Sequence, residues 1–98
     1  MIALVWRFEV LEEARAAFEA TYGPTGAWAA LFARSPAFRG TELFKAEDGS
    51  YLTIDVWQSQ AEFDAFLEDN RTEYAALDRS CEPWTTSEHR IGAYEVLS

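Results

Sequence analysis

Gly40-Thr41-Glu42-Leu43-Phe44-Lys45-Ala46-Glu47-Asp48-Gly49-Ser50-Tyr51-Leu52-Thr53-Ile54-Asp55-Val56-Trp57-Gln58-Ser59-Gln60-Ala61-Glu62 is the stretch whose reading decides the fold. It contains a strand, a tight turn, a second strand and a helix start. Asp48-Gly49 predicts a hairpin turn, because it can supply the positive φ angles that such turns need. Tyr51, Leu52, Thr53, Ile54, Val56 and Trp57 are apolar, aromatic or β-branched, which suits a pleated surface. Ser59-x-x-Glu62 is a capping box, in which side chains satisfy amides left orphaned at a helix start.

The flanking segments complete the pattern. From Ile2 to Val10 the chain alternates, with Ile2, Leu4, Trp6, Phe8 and Val10 on one face and Ala3, Val5, Arg7 and Glu9 on the other. Glu12 to Tyr22 reads as a helix with Leu11, Ala14, Phe18 and Tyr22 on one stripe, stopped by Gly23-Pro24. A short helix follows from about Gly26 to Arg34, and Ser35-Pro36 ends it. After the hairpin, one long helix is expected from Gln60 to about Arg79, with Phe63, Phe66, Leu67, Tyr74 and Leu77 as its apolar stripe. Pro83 breaks it, and Glu88 to Leu97 reads as a last strand with Gly92 at a bulge.

The order is β-α-β-β-α-β, an α+β ferredoxin-like sandwich with a four-stranded antiparallel sheet, and residues 1–98 form one domain. The first and third strands are expected at its centre. Helices cover one sheet face only. An apolar second face needs a partner, so a homodimer with two sheets face to face is expected.

Composition narrows the function classes. Seventeen acidic residues against eight basic ones give a net charge of −9, a field that repels nucleic acid and anionic membranes. The longest apolar run, Ala27 to Ala33, falls far short of the roughly 20 residues a membrane span requires. Met1 to Trp6 is apolar but is interrupted at once by Arg7 and Glu9, so no signal peptide is read there. The lone Cys81 allows no internal disulfide, which suits the cytoplasm. Seven Phe, four Trp and four Tyr are many for this length, and some of these rings are expected to line a cavity or a subunit contact.

The hairpin together with Trp57-Gln58-Ser59-Gln60-Ala61-Glu62-Phe63 resembles the Trp-x-Ser-x-x-x-Phe signature of antibiotic-biosynthesis-monooxygenase domains. Pro36-Ala37-Phe38-Arg39-Gly40 is similar to that family's Pro-Gly-Phe-x-Gly segment before its second strand. The resemblance implies a dimeric α/β barrel. It also implies a cofactor-independent monooxygenase for an aromatic or quinol-type molecule, needing neither metal nor flavin. The alternative is a non-catalytic module of the same fold that holds a small hydrophobic ligand. In the family's polyketide oxygenases the tryptophan matching Trp57 lies in the pocket, with an asparagine four residues earlier and a tyrosine six residues later. Those positions hold Thr53 and Phe63 here. Haem degradation ranks last, because no histidine lies on the long helix.

The candidate pocket residues are Trp57, Arg7, Asp55, Tyr74, Trp28, Tyr22 and Phe66. Trp57 has two readings: it stacks a substrate, or it anchors the third strand in the core. Arg7 and Asp55, on adjacent central strands, are read either as an ion pair on the sheet face or as a pair that orients a phenol. Tyr22, Trp28, Phe32, Phe66 and Tyr74 frame a cavity or form ordinary core. His89 has no metal-ligating partner at a suitable spacing and reads as an exposed edge residue, and Cys81 reads as an inert thiol.

Overall fold

A computed structural model describes residues 1–97. Strand β1 (Ile2–Val10) leads through a 3-10 turn at Glu12–Ala14 into α1 (Arg15–Tyr22) and then α2 (Ala27–Phe32). The hairpin β2 (Phe38–Lys45) and β3 (Tyr51–Trp57) follows, then α3 (Gln60–Asp69), α4 (Arg71–Cys81) and β4 (Thr85–Glu95). The sheet order is β2-β3-β1-β4, and β1 pairs antiparallel with both β3 and β4. The first and third strands are therefore central, as expected.

Gly23-Pro24 ends α1 at Tyr22, and Gly26 turns the chain straight into α2. A side chain at Gly26 would bring a Cβ within 2.3 Å of the Thr21 carbonyl oxygen, so only glycine allows the two helices to meet there. Ser59 caps α3 by accepting from the Glu62 amide at 3.2 Å. At Ile91–Gly92 the register of β4 against β1 slips, the bulge that Gly92 foretold.

Three local readings require correction. The hairpin is not closed by two residues of positive φ: among the described residues no non-glycine has one, and only Gly49, at φ 88°, does so in this turn. The connection is instead a four-residue turn closed by the Gly49 amide on the Ala46 carbonyl at 3.0 Å. Asp48 contributes through its carboxylate, which accepts from the Ser50 amide at 2.9 Å and the Ser50 hydroxyl at 2.6 Å. The long helix is also two helices, α3 and α4, meeting at Asn70, which has left the helical region at φ −124°, ψ 28°. The Asn70 amide and side chain both donate to the Phe66 carbonyl, at 2.9 and 3.0 Å, and so cap α3 where the backbone turns away. Finally, β4 begins at Thr85, three residues earlier than the sequence suggests.

One sheet face packs on the helices. Leu4 and Phe8 of β1 and Tyr51 and Trp57 of β3 join Phe18, Tyr22, Trp28, Leu31, Phe32, Phe66 and Cys81 in a single core cluster. The other face carries Ala3 and Val5 of β1 paired with Val56 and Ile54 of β3. On that same face Phe44 is 46% exposed and Tyr94 52%.

Candidate active site

Between the helix-bearing sheet face and α1, α2 and α4 lies a cavity of about 40 Å³, partly open to solvent. Its walls are aromatic: Trp6 and Phe8 from β1, Tyr22 from α1, Trp28 and Phe32 from α2, and Tyr74 from α4. The Trp28 and Tyr74 rings meet edge to face, with centroids 4.9 Å apart. Set among the rings are Thr41, Thr53 and Asp55 from the sheet, with Asp78 and Glu88 beside them. A second, shallower groove runs along α3 and α4 past Leu67 and Arg71, and Tyr74 borders both hollows.

Asp55 is the ionisable group that the central strands place in this cavity. It faces Thr41 across β2 and β3, and the Thr41 hydroxyl donates to its carboxylate. No cationic side chain pairs with it among the described residues. Burial pushes its carboxyl from 3.8 up to about 7. Burial also raises the Tyr74 hydroxyl to about 12, helped by the nearby Asp78, Asp55 and Glu88 charges. The Tyr22 hydroxyl is raised further still, chiefly by burial and then by Cys81. Both phenols therefore stay protonated near neutral pH and serve as donors. The Trp28 indole N–H is buried beside the Tyr22 hydroxyl. The arrangement thus offers an apolar slot, phenolic hydroxyls on its walls and one carboxylate able to take a proton near pH 7.

Of the residues proposed from sequence, Asp55, Tyr74, Trp28 and Tyr22 line this one cavity. Trp57 and Phe66 lie outside its walls. Trp57 is fully buried, with ring centroids 5.3 Å from Phe38, 5.5 Å from Phe32 and 5.1 Å from Phe63. Phe66 packs on Trp57 at 5.2 Å. The expected pairing of Arg7 with Asp55 is not made. Arg7 stands opposite Leu52, on the sheet face away from the helices, and reaches Asp48 at 3.5 Å and Glu9 at 3.6 Å. His89 is exposed beside Arg7 on β4, and Cys81 is fully buried at the end of α4.

Sequence reasoning missed Trp6, Phe8, Thr41, Asp78 and Glu88 as cavity residues. Thr41 was legible only through the strand register that sets it against Asp55. Asp78 was legible as one helical turn beyond Tyr74, on the same side of α4. Among the described residues no group of three or more His, Cys, Asp or Glu side chains is placed to hold a metal ion, and no helix is long and apolar enough to cross a membrane.

The strand order and the cavity under the helices define an α+β ferredoxin-like domain with a sheet-to-helix pocket. Residues 1–76 match the family described as antibiotic biosynthesis monooxygenase, and the chain belongs to that family. Two crystal structures of SnoaB, a cofactor-independent oxygenase from Streptomyces nogalater, are similar over 99% of this chain and 93% of theirs. They are 26% and 27% identical, with TM-scores of 0.78 and 0.74, the former being an asparagine-to-alanine variant. HapK from Hahella chejuensis shares the fold at 19% identity and a TM-score of 0.73, over 100% of this chain and 94% of its own. No curated protein matches the sequence significantly.

Proposed function

We propose that this protein is a cofactor-independent monooxygenase that acts on an electron-rich phenol or quinol held in the sheet-to-helix cavity. Family membership and the likeness to SnoaB support the monooxygenase-like role. One observation carries the reaction: Asp55, a carboxylate without a cationic partner, sits in an aromatic slot where burial brings it to about 7.

In the proposed reaction Asp55 takes the phenolic proton, and the resulting phenolate gives one electron to dioxygen. The phenoxyl radical and superoxide then combine into a ring hydroperoxide, which loses water to leave a quinone. One oxygen atom enters the product and the other leaves as water, with every electron supplied by the substrate. The tyrosine donors orient the substrate and favour the developing oxyanion. Water needs about 10–15 Å³ of cavity, so 40 Å³ holds roughly three water-sized spheres, and a planar ring enters only as wall side chains move. Tyr74, which borders both the cavity and the outer groove, is placed to make that room by rotating.

The proposed active species is a homodimer closed through the open sheet face. Val5, Ile54, Val56, Phe44 and Tyr94 give that face an apolar surface with no cover from the helices.

Aerobic incubation of chelator-treated protein with a panel of phenols and quinols, followed by oxygen uptake, tests the reading. Uptake of one dioxygen per quinone formed supports it. Saturable binding without uptake favours the non-catalytic binding module instead.

A further inference from the structure

Resting on the cavity reading above, we infer that this site selects its ligand by charge: it accepts neutral or ammonium-bearing aromatic molecules and rejects carboxylate-bearing ones. The side chains that line the cavity set its charge. Three are carboxylates, Asp55, Asp78 and Glu88, contributed by β3, α4 and β4, and no Lys, Arg or His is among them. The remaining walls are mainly the faces and edges of aromatic rings, which attract cations through their quadrupoles. An anionic ligand would enter against all three carboxylates with no cationic side chain on the walls to receive it; Arg90, opposite Trp6 on β4, is exposed and does not line the cavity. An ammonium group would meet Asp78, half-buried, and Glu88, exposed at the opening, while its ring lies among Trp6, Trp28 and Tyr74.

The titration behaviour of the lining groups agrees with this. Burial first, and then Asp78 and Glu82, raise the Glu88 carboxyl above its ordinary value. Tyr74 is raised by burial and then by Asp78, Asp55 and Glu88. Negative charge is thus already in excess around the hollow, and a further anion raises that cost. The Tyr22 and Tyr74 hydroxyls and Thr53, which line the cavity, suit an uncharged phenolic oxygen at the inner end. A phenolic amine satisfies both ends at once.

The test uses three probes of one size: 4-ethylphenol, tyramine and 4-hydroxyphenylacetate. Their affinities for the full chain are measured by calorimetry at pH 8 in low salt. Tyramine is expected to bind about tenfold or more tightly than 4-hydroxyphenylacetate, with 4-ethylphenol between them. The gap is expected to narrow in 0.5 M salt, which screens charges at the opening within a Debye length below ~8 Å. It is also expected to shrink in the Asp78→Asn/Glu88→Gln double variant. The salt series on the unaltered protein stands by itself if that variant does not fold. Equal affinity for tyramine and 4-hydroxyphenylacetate, or tighter binding of the latter, overturns charge selection while leaving the phenol site intact. Failure of all three probes to bind overturns the cavity reading and this inference with it.

Discussion

Thr41 and Asp55 face each other across the β2–β3 ladder, and the Thr41 hydroxyl donates its hydrogen bond to a carboxylate that has no counter-charge. The pair sits beneath the helices, at the floor of an aromatic slot. A hydroxyl softens the cost of burying a carboxylate far less than an arginine would, so the acid keeps a high proton affinity. The sheet thereby holds a carboxyl that titrates near neutrality instead of a permanently ionised ion pair.

That arrangement costs stability in a defined pH window. The Asp55 carboxyl is held at about 7 against 3.8 ordinarily, so the folded chain binds this proton more tightly than the unfolded chain does. Its contribution is fully present below about pH 4 and is lost as pH rises through 7. An asparagine carries no such penalty and its carbonyl still accepts from Thr41. Asp55→Asn is therefore expected to gain stability relative to the parent between pH 4 and 7 and to level off above 7. The gain is at most about 4 kcal/mol. Denaturant unfolding of both proteins at pH 4.5 and 8 measures it, and a constant difference would show that Asp55 titrates normally.

Trp57 anchors the end of β3 and does not wall the cavity. It is fully buried among Phe32, Phe38, Phe63 and Phe66. Trp57→Ala is expected to cost roughly 3–5 kcal/mol, a large share of a small domain's total. Trp57→Phe keeps most of the packing, and its affinity for 4-ethylphenol is expected to stay within about twofold of the parent, a shift of roughly 0.4 kcal/mol. A tenfold loss of affinity in a well-folded Trp57→Phe protein would move Trp57 into the site.

Tyr74 separates the inner cavity from the outer groove along α3 and α4. Tyr74→Ala removes that partition. The variant is expected to bind a bicyclic phenol such as 1-naphthol more tightly than the parent does, while single-ring phenols gain little. Tighter binding of single-ring phenols alone would point to relief of a local clash rather than to a partition.

The open sheet face supports one more expectation. Ile54 and Val5 are directly paired at its centre. Ile54→Lys places a charge where two such faces meet, and burying it unpaired costs several kcal/mol. Light scattering is expected to give a dimer for the parent and a monomer for the variant. A parent that is already monomeric at micromolar concentration removes the interface.

Local chemistry made most of the fold legible. The Ser59 cap and the Gly23-Pro24 stop each act within a few residues, and each appears where the sequence places it. The division of the second helix was not legible, because Asn70 is neither glycine nor proline, and its side chain caps α3 through a hydrogen bond that no spacing announces. The site was legible in part. Rings and carboxylates can be counted along a chain, but the face each occupies depends on strand register. Trp6 stands opposite Thr53 and Arg7 opposite Leu52, so the helix side takes even positions of β1 and odd positions of β3. Arg7 and Asp55 therefore lie on opposite faces, although both are odd-numbered and on neighbouring strands. A slip of one residue would have reversed that result, and no single strand carries the information.

The account turns on Asp55 as the proton acceptor for oxygenation. Its most direct test is the pH dependence of initial oxygen uptake, with any phenol that the parent turns over, in chelator-treated parent and Asp55→Asn proteins. The account predicts that parent kcat/KM climbs with pH through an apparent value near 7. In Asp55→Asn that step is expected to vanish and the plateau to fall at least ~100-fold, the usual worth of a general base. An Asp55→Asn protein that consumes oxygen at the parent rate, with the same pH profile, would contradict it.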